Sequence, residues 1–116
     1  MAPQFKKIAA SFYKTGNGVS PARDWLRSLS DEDRRKIGAD IATVEFGWPV
    51  GMPLCRSLGK GLWEVRSSLS GNRIARVIFA TSTNRMVVLH GFIKKTSKTP
   101  QTEIELAQKR WKDFVP

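Results

Sequence analysis

The segment GWPVGMP at residues 47–53 divides the chain into two stretches that cannot share one secondary structure. Two prolines and two glycines in seven residues end any helix that reaches them. Before the break, apolar residues recur at helical spacing. Ser20-Pro21 supplies an N-cap with proline at the first helical position, and Ala22, Trp25, Leu26 and Leu29 then fall at i, i+3, i+4 and i+7. Ser30-Asp31-Glu32-Asp33 opens a second helix, with acids where the dipole favours them and Ile37, Ile41 and Val44 as its stripe. With almost no loop at Leu29-Ser30, the two are expected to form a helical hairpin. An opening strand over residues 4–14, stopped by GNG at 16–18, precedes them.

After residue 54 the period changes. Leu62–Leu69, Ile74–Ala80 and Met86–Ile93 are short runs rich in Val, Ile, Phe and Trp, separated by SGN and TSTN as in an antiparallel meander. The middle run is apolar except for Arg76, which suits a central strand covered on both faces. Thr99-Pro100 repeats the cap-plus-proline start, and Ile104, Ala107, Trp111 and Phe114 mark a last amphipathic helix. The order β-α-α-β-β-β-α predicts one α+β domain over residues 1–116, with helices packed on a mostly antiparallel sheet.

Length and composition agree with a single modest core. The chain has 116 residues, 41% hydrophobic, with tryptophans at 25, 48, 63 and 111 read as core and interface anchors. No apolar run is long enough to span a membrane, and MAPQFKK lacks the apolar stretch of a secretory signal, so a cytoplasmic protein is expected. Cys55 is the lone cysteine, and no His/Cys or acidic cluster suggests a metal or cofactor.

Charge is the stronger functional signal. Of 20 Lys+Arg and 10 Asp+Glu, residues 56–98 hold nine bases against Glu64 alone, so +8 of the net +10 lies in one segment. That clustering favours a nucleic-acid footprint, with Lys60, Arg73 and Lys98 as candidate nucleic-acid contacts, although an acidic protein or membrane surface would attract the same patch. A three-residue loop at Ser70–Asn72 pairs Leu69 with Arg73 and sets Arg66 opposite Arg76. Two guanidinium groups so opposed repel unless an anion lies between them; the other reading is two ordinary surface arginines, each partly neutralised by Glu64 or by solvent. A two-residue loop would separate them onto opposite faces. A four-residue TSTN loop pairs Ala75 with His90 and turns His90 away from Arg76. HGFIKKTSKTP at 90–100 holds three lysines, one histidine and no acid. It is either a solvated connector or a polyanion-binding rim, and Thr96 and Thr99 within it read as turn and cap residues.

The segments GLWEVR, RIARVIF and MVVLHGFIKKTSKTP resemble the RelE/ParE toxin superfamily, nearest to its phage-derived HigB-like branch, over roughly residues 5–114. The resemblance implies a RelE-like fold and the toxin of a type II toxin–antitoxin pair. It implies a ribosome-dependent mRNA endonuclease partnered by a small helix-turn-helix antitoxin. A gyrase-inhibiting, ParE-like activity without nuclease chemistry is the alternative, and an inactive partner-binding remnant a third. Metal-free RNA cleavage needs one group to take the 2′-hydroxyl proton, another to protonate the leaving 5′-oxygen, and cations to stabilise the phosphorane. Arg66 and Arg76 resemble the family's strand arginines and are candidates for the last task. His90, the only histidine, is one candidate for proton transfer, though a packed structural role is also open. Lys94 and Lys95 are the other, since a lysine in a dense basic cluster can move protons. The superfamily's C-terminal tyrosine has no counterpart, because Tyr13 is the only one; Phe92 or Trp111 would have to stack the scissile base.

Overall fold

The computed structural model describes residues 5–115, so Gln4, the first residue of the expected opening strand, lies outside it, as do the chain ends of the expected domain. The elements are β1 (Ala9–Phe12), α1 (Pro21–Arg27), α2 (Asp31–Gly47), β2 (Cys55–Gly59), β3 (Leu62–Ser68), β4 (Ile74–Ser82), β5 (Arg85–Lys94) and α3 (Gln101–Asp113). The fold is α+β, with a five-stranded sheet in the order β1-β5-β4-β3-β2. All pairings are antiparallel except β1 with β5. The expected order lacked β2. That strand is short, ends in glycine and directly follows the proline–glycine break, so it shows no clear alternation.

β4 is the central strand and is buried on both faces. On one face Ile37, Ile41 and Val44 of α2 meet Val65, Val77 and Phe79; on the other, Ala107 of α3 meets Leu62, Ile78, Val87 and Leu89. The two N-terminal helices are consecutive, as expected, yet each rests on the sheet more than on the other, α1 on β5 and α2 on β3. Gly91 explains the first contact: a Cβ there would lie 2.3 Å from the Trp25 ring. Ser30 accepts a hydrogen bond from the Asp33 amide at 3.2 Å and caps α2 as read from the sequence. Ser20 occupies the N-cap position of α1, but its hydroxyl makes no capping bond.

The β4–β5 register departs from expectation in two steps. The TSTN connection is a two-residue turn: Ser82 pairs with Arg85, and Thr83 and Asn84 have φ of 44° and 62°. A β-branched residue rarely takes that conformation, which hides the tight turn in the sequence. This change moves the pairing by an even number and leaves every side chain on its face. A bulge then inserts Leu89, so that Val88 pairs with Phe79 but His90 with Ile78. The single extra residue turns His90, Phe92 and Lys94 onto the face that carries Arg76. Arg110 of α3 donates from Nη1 to the Leu89 carbonyl at 2.8 Å and so fastens the bulge.

Candidate nucleic-acid interface

β3 and β4 carry the first part of the site. Arg66 pairs directly with Arg76, as the three-residue connection predicts, with the Leu69 amide donating to the Arg73 carbonyl at 2.9 Å. Arg56 of β2 pairs with Glu64, two residues before Arg66 on the same face. Three arginines therefore surround one carboxylate. Glu64 is fully buried. Its Oε1 accepts from Arg66 Nη1 at 3.2 Å, and its Oε2 accepts from the Thr99 hydroxyl at 2.5 Å.

Arg76 is also fully buried, beneath the connection between β5 and α3. One of its donors, Nη2, bonds the Thr96 carbonyl, while Nε and Nη1 have no acceptor among the described residues. Its guanidinium lies 5.8 Å from the centre of the Phe92 ring. Burial, and then the charge of Arg66, lower its pKa from the ordinary value. An unbalanced cation is thus held just under the surface.

Lys94 pairs with Ile74 and shares the Arg76 face, and Lys95 and Lys98 follow in the exposed connection. Lys98 lines a groove of about 590 Å³ together with Arg56, Ser57, Leu58, Thr96 and the start of α3. Thr99, expected as a cap, instead donates to Glu64, so Pro100 is the N-cap of α3 and offers no side-chain acceptor.

The remaining candidates go elsewhere. Lys60, in the β2–β3 turn, borders Gln108, Trp111 and Lys112 at the opposite end of the sheet from Lys94. Arg73 grips Asp33 through two bonds, at 2.7 and 3.0 Å, and the Ser70 carbonyl at 2.9 Å, tying the β3–β4 connection to the start of α2. Its hydrogen bonds hold the Asp33 carboxyl below the usual range. His90 shares the Arg76 face, contrary to the expected register, and stacks on Phe92 at 5.5 Å. Both its ring nitrogens are engaged by α3: Nε2 with Glu103 Oε2 at 2.5 Å and Nδ1 with Arg110 Nη1 at 3.3 Å. Burial lowers its pKa from 6.5 despite Glu103, which fits a neutral ring that donates to the carboxylate and accepts from the guanidinium.

Sequence reasoning missed Arg56, Glu64 and Thr99 as a connected set. Glu64 carried a signal, being the one acid among nine bases; Arg56 lay in the unread strand. Cys55 is buried and its thiol is pushed up to about 11 by desolvation, so it takes no part. Among the described residues no cluster of His, Cys, Asp or Glu could hold a metal ion, and no helix is long and apolar enough to cross a membrane.

The site is a basic surface with a buried arginine behind it and a lysine-bearing rim. No curated protein matches the chain. Residues 24–112, more than half its length, match the family described as phage derived protein Gp49-like (DUF891). The chain therefore belongs to the Gp49-like family, a family of RelE/ParE-like toxins.

Proposed function

We propose that the protein is the toxin of a type II toxin–antitoxin pair, of the HigB-like branch with a RelE-like fold, and that it cleaves messenger RNA on the ribosome. The observation that supports this reading is the opposed Arg66–Arg76 pair beside a lysine-rich rim, a cluster whose positive charge exceeds what its one carboxylate, Glu64, balances. Arg66, partly exposed, meets the scissile phosphate. Arg76 supplies fixed positive charge from below, where the low dielectric strengthens it. The 2′-oxygen attacks phosphorus as its proton passes to one basic side chain, and the 5′-oxygen departs with a proton from a second. We assign these transfers to Lys94, on the Arg76 face, and Lys95, which follows it. The products are a 2′,3′-cyclic phosphate and a 5′-hydroxyl, and no metal ion takes part.

A toxin of this family implies an antitoxin; a small helix-turn-helix protein with an acidic segment over residues 56–98 suits the basic excess of that segment. The test is to induce the protein and map 5′ ends of cellular transcripts. Cuts in translated messages are expected; DNA damage with intact messages would overturn the reading in favour of gyrase inhibition.

A further inference from the structure

The groove beside the arginine cluster has a feature that RNA cleavage by itself does not explain. α3 begins without a side-chain cap. The hydroxyl that would ordinarily supply one, on Thr99, is bonded to the buried carboxylate of Glu64. The Pro100 carbonyl takes the amides of Glu103 and Ile104, at 3.1 and 3.4 Å. The amides of Gln101 and Thr102 have no acceptor among the described residues. Helix amides point back past the N-terminus, and there Pro100 and Gln101 form part of the groove wall, with Arg56 and Lys98. The independent observation is Arg76. It is wholly buried, bonded to the Thr96 carbonyl in the same wall, and has two donors without partners. Glu64, on the same sheet face, accepts instead from Arg66 and Thr99.

We propose that this groove is a phosphate subsite, distinct from the scissile position, in which the first amides of α3, Arg56 and Lys98 hold a backbone phosphate of single-stranded RNA with Arg76 behind it. The Glu64–Thr99 bond keeps the subsite open by withholding the natural cap from the helix. The assignment to RNA rests on the nuclease reading above, whereas the anion chemistry stands without it. Leu58 and Ile104, also in the groove, give the sugar and base an apolar surface.

Two measurements test it. Amide spectra of the intact protein are recorded during titration with inorganic phosphate. The largest shifts are expected at Gln101 and Thr102, and they disappear in Arg56→Ala. Binding of a 2′-O-methyl RNA, which cannot be cleaved, is then followed against salt. Arg56→Ala lowers the salt slope by roughly one. Pro100→Asp, which places a carboxylate cap on the free amides, weakens binding by about tenfold or more without lowering Tm. Phosphate shifts confined to exposed lysines elsewhere, or a Pro100→Asp protein that binds as wild type, would overturn the subsite. Groove shifts in a protein that cuts no message would leave the subsite standing and remove the nuclease reading instead.

Discussion

Arg66 stands directly across the β3–β4 ladder from Arg76, and only Arg66 has a carboxylate partner. The burial of Arg76 is therefore a cost to the fold, set against no internal ion pair among the described residues. Arg76→Met should leave Tm unchanged or higher, since a methionine fills much of the same space without the desolvated charge. Cleavage on programmed ribosomes should fall at least about tenfold, as expected when a fixed charge near the transition state is lost. A folded Arg76→Met protein with full toxicity would remove Arg76 from the mechanism.

Lys94, Lys95 and Lys98 should separate into two kinds. One of Lys94→Ala and Lys95→Ala is expected to lower single-turnover cleavage by about 10²–10⁴-fold with ribosome binding nearly intact. Lys98→Ala should chiefly weaken binding and lower the salt slope by about one. His90→Gln should retain partial activity, because both its ring nitrogens serve α3. Near-normal rates in both lysine variants with an inactive His90→Gln would transfer proton movement to the histidine.

His90 also makes stability depend on pH. Its folded pKa lies below the unfolded value of 6.5, so the unfolded chain takes up the proton more readily. The stabilising effect is complete above 6.5 and declines as pH falls from there towards the folded value. Tm measured from about pH 7.5 to about pH 5 should decrease, and the decrease should be shallower in His90→Gln. The groups facing the ring are Glu103, Arg110 and Phe92. Equal slopes in the two proteins would contradict a neutral His90.

Arg110→Ala should destabilise the fold by about 1–3 kcal/mol, the range for leaving a buried acceptor unsatisfied, because the bulged Leu89 carbonyl loses its donor. The loss should extend to cleavage, since the bulge sets the face on which Phe92 and Lys94 lie. Chemical denaturation and single-turnover kinetics of this variant measure both effects. Unchanged stability would mean that the bulge holds its register without α3.

Most of the architecture was legible because period and punctuation agree in this sequence. The stripe from Ala22 to Leu29, the capped start at Ser30 and the β-branched runs each matched a local rule that the fold obeys. The Arg66–Arg76 opposition was one of two registers open in the sequence, and the three-residue connection is the one the fold adopts. Elsewhere a tertiary contact overrode the local rule. Thr83 takes a backbone conformation that its side chain disfavours, and Thr99 leaves its cap for a carboxylate 35 residues away. His90 was misplaced because a bulge has no sequence signature of its own. The groove escaped notice because one of its walls comes from the strand that was not read.

That bulge gives β5 a parity. Residues 85–88 and 90–94 obey opposite odd–even rules, with Leu89 as the point of change. A chain that zipped past Leu89 without the extra residue would pair it with Ile78. His90, Phe92 and Lys94 would then be sent towards the Trp25 side, and Gly91 would no longer receive that ring. This mispaired partner is only one step away, so the fold contains its own decoy. Discrimination against it comes from helices at either end of the chain, Trp25 on one face and Arg110 on the other. The correct parity of β5 is thus matched by contacts from residues more than 80 positions apart in the chain.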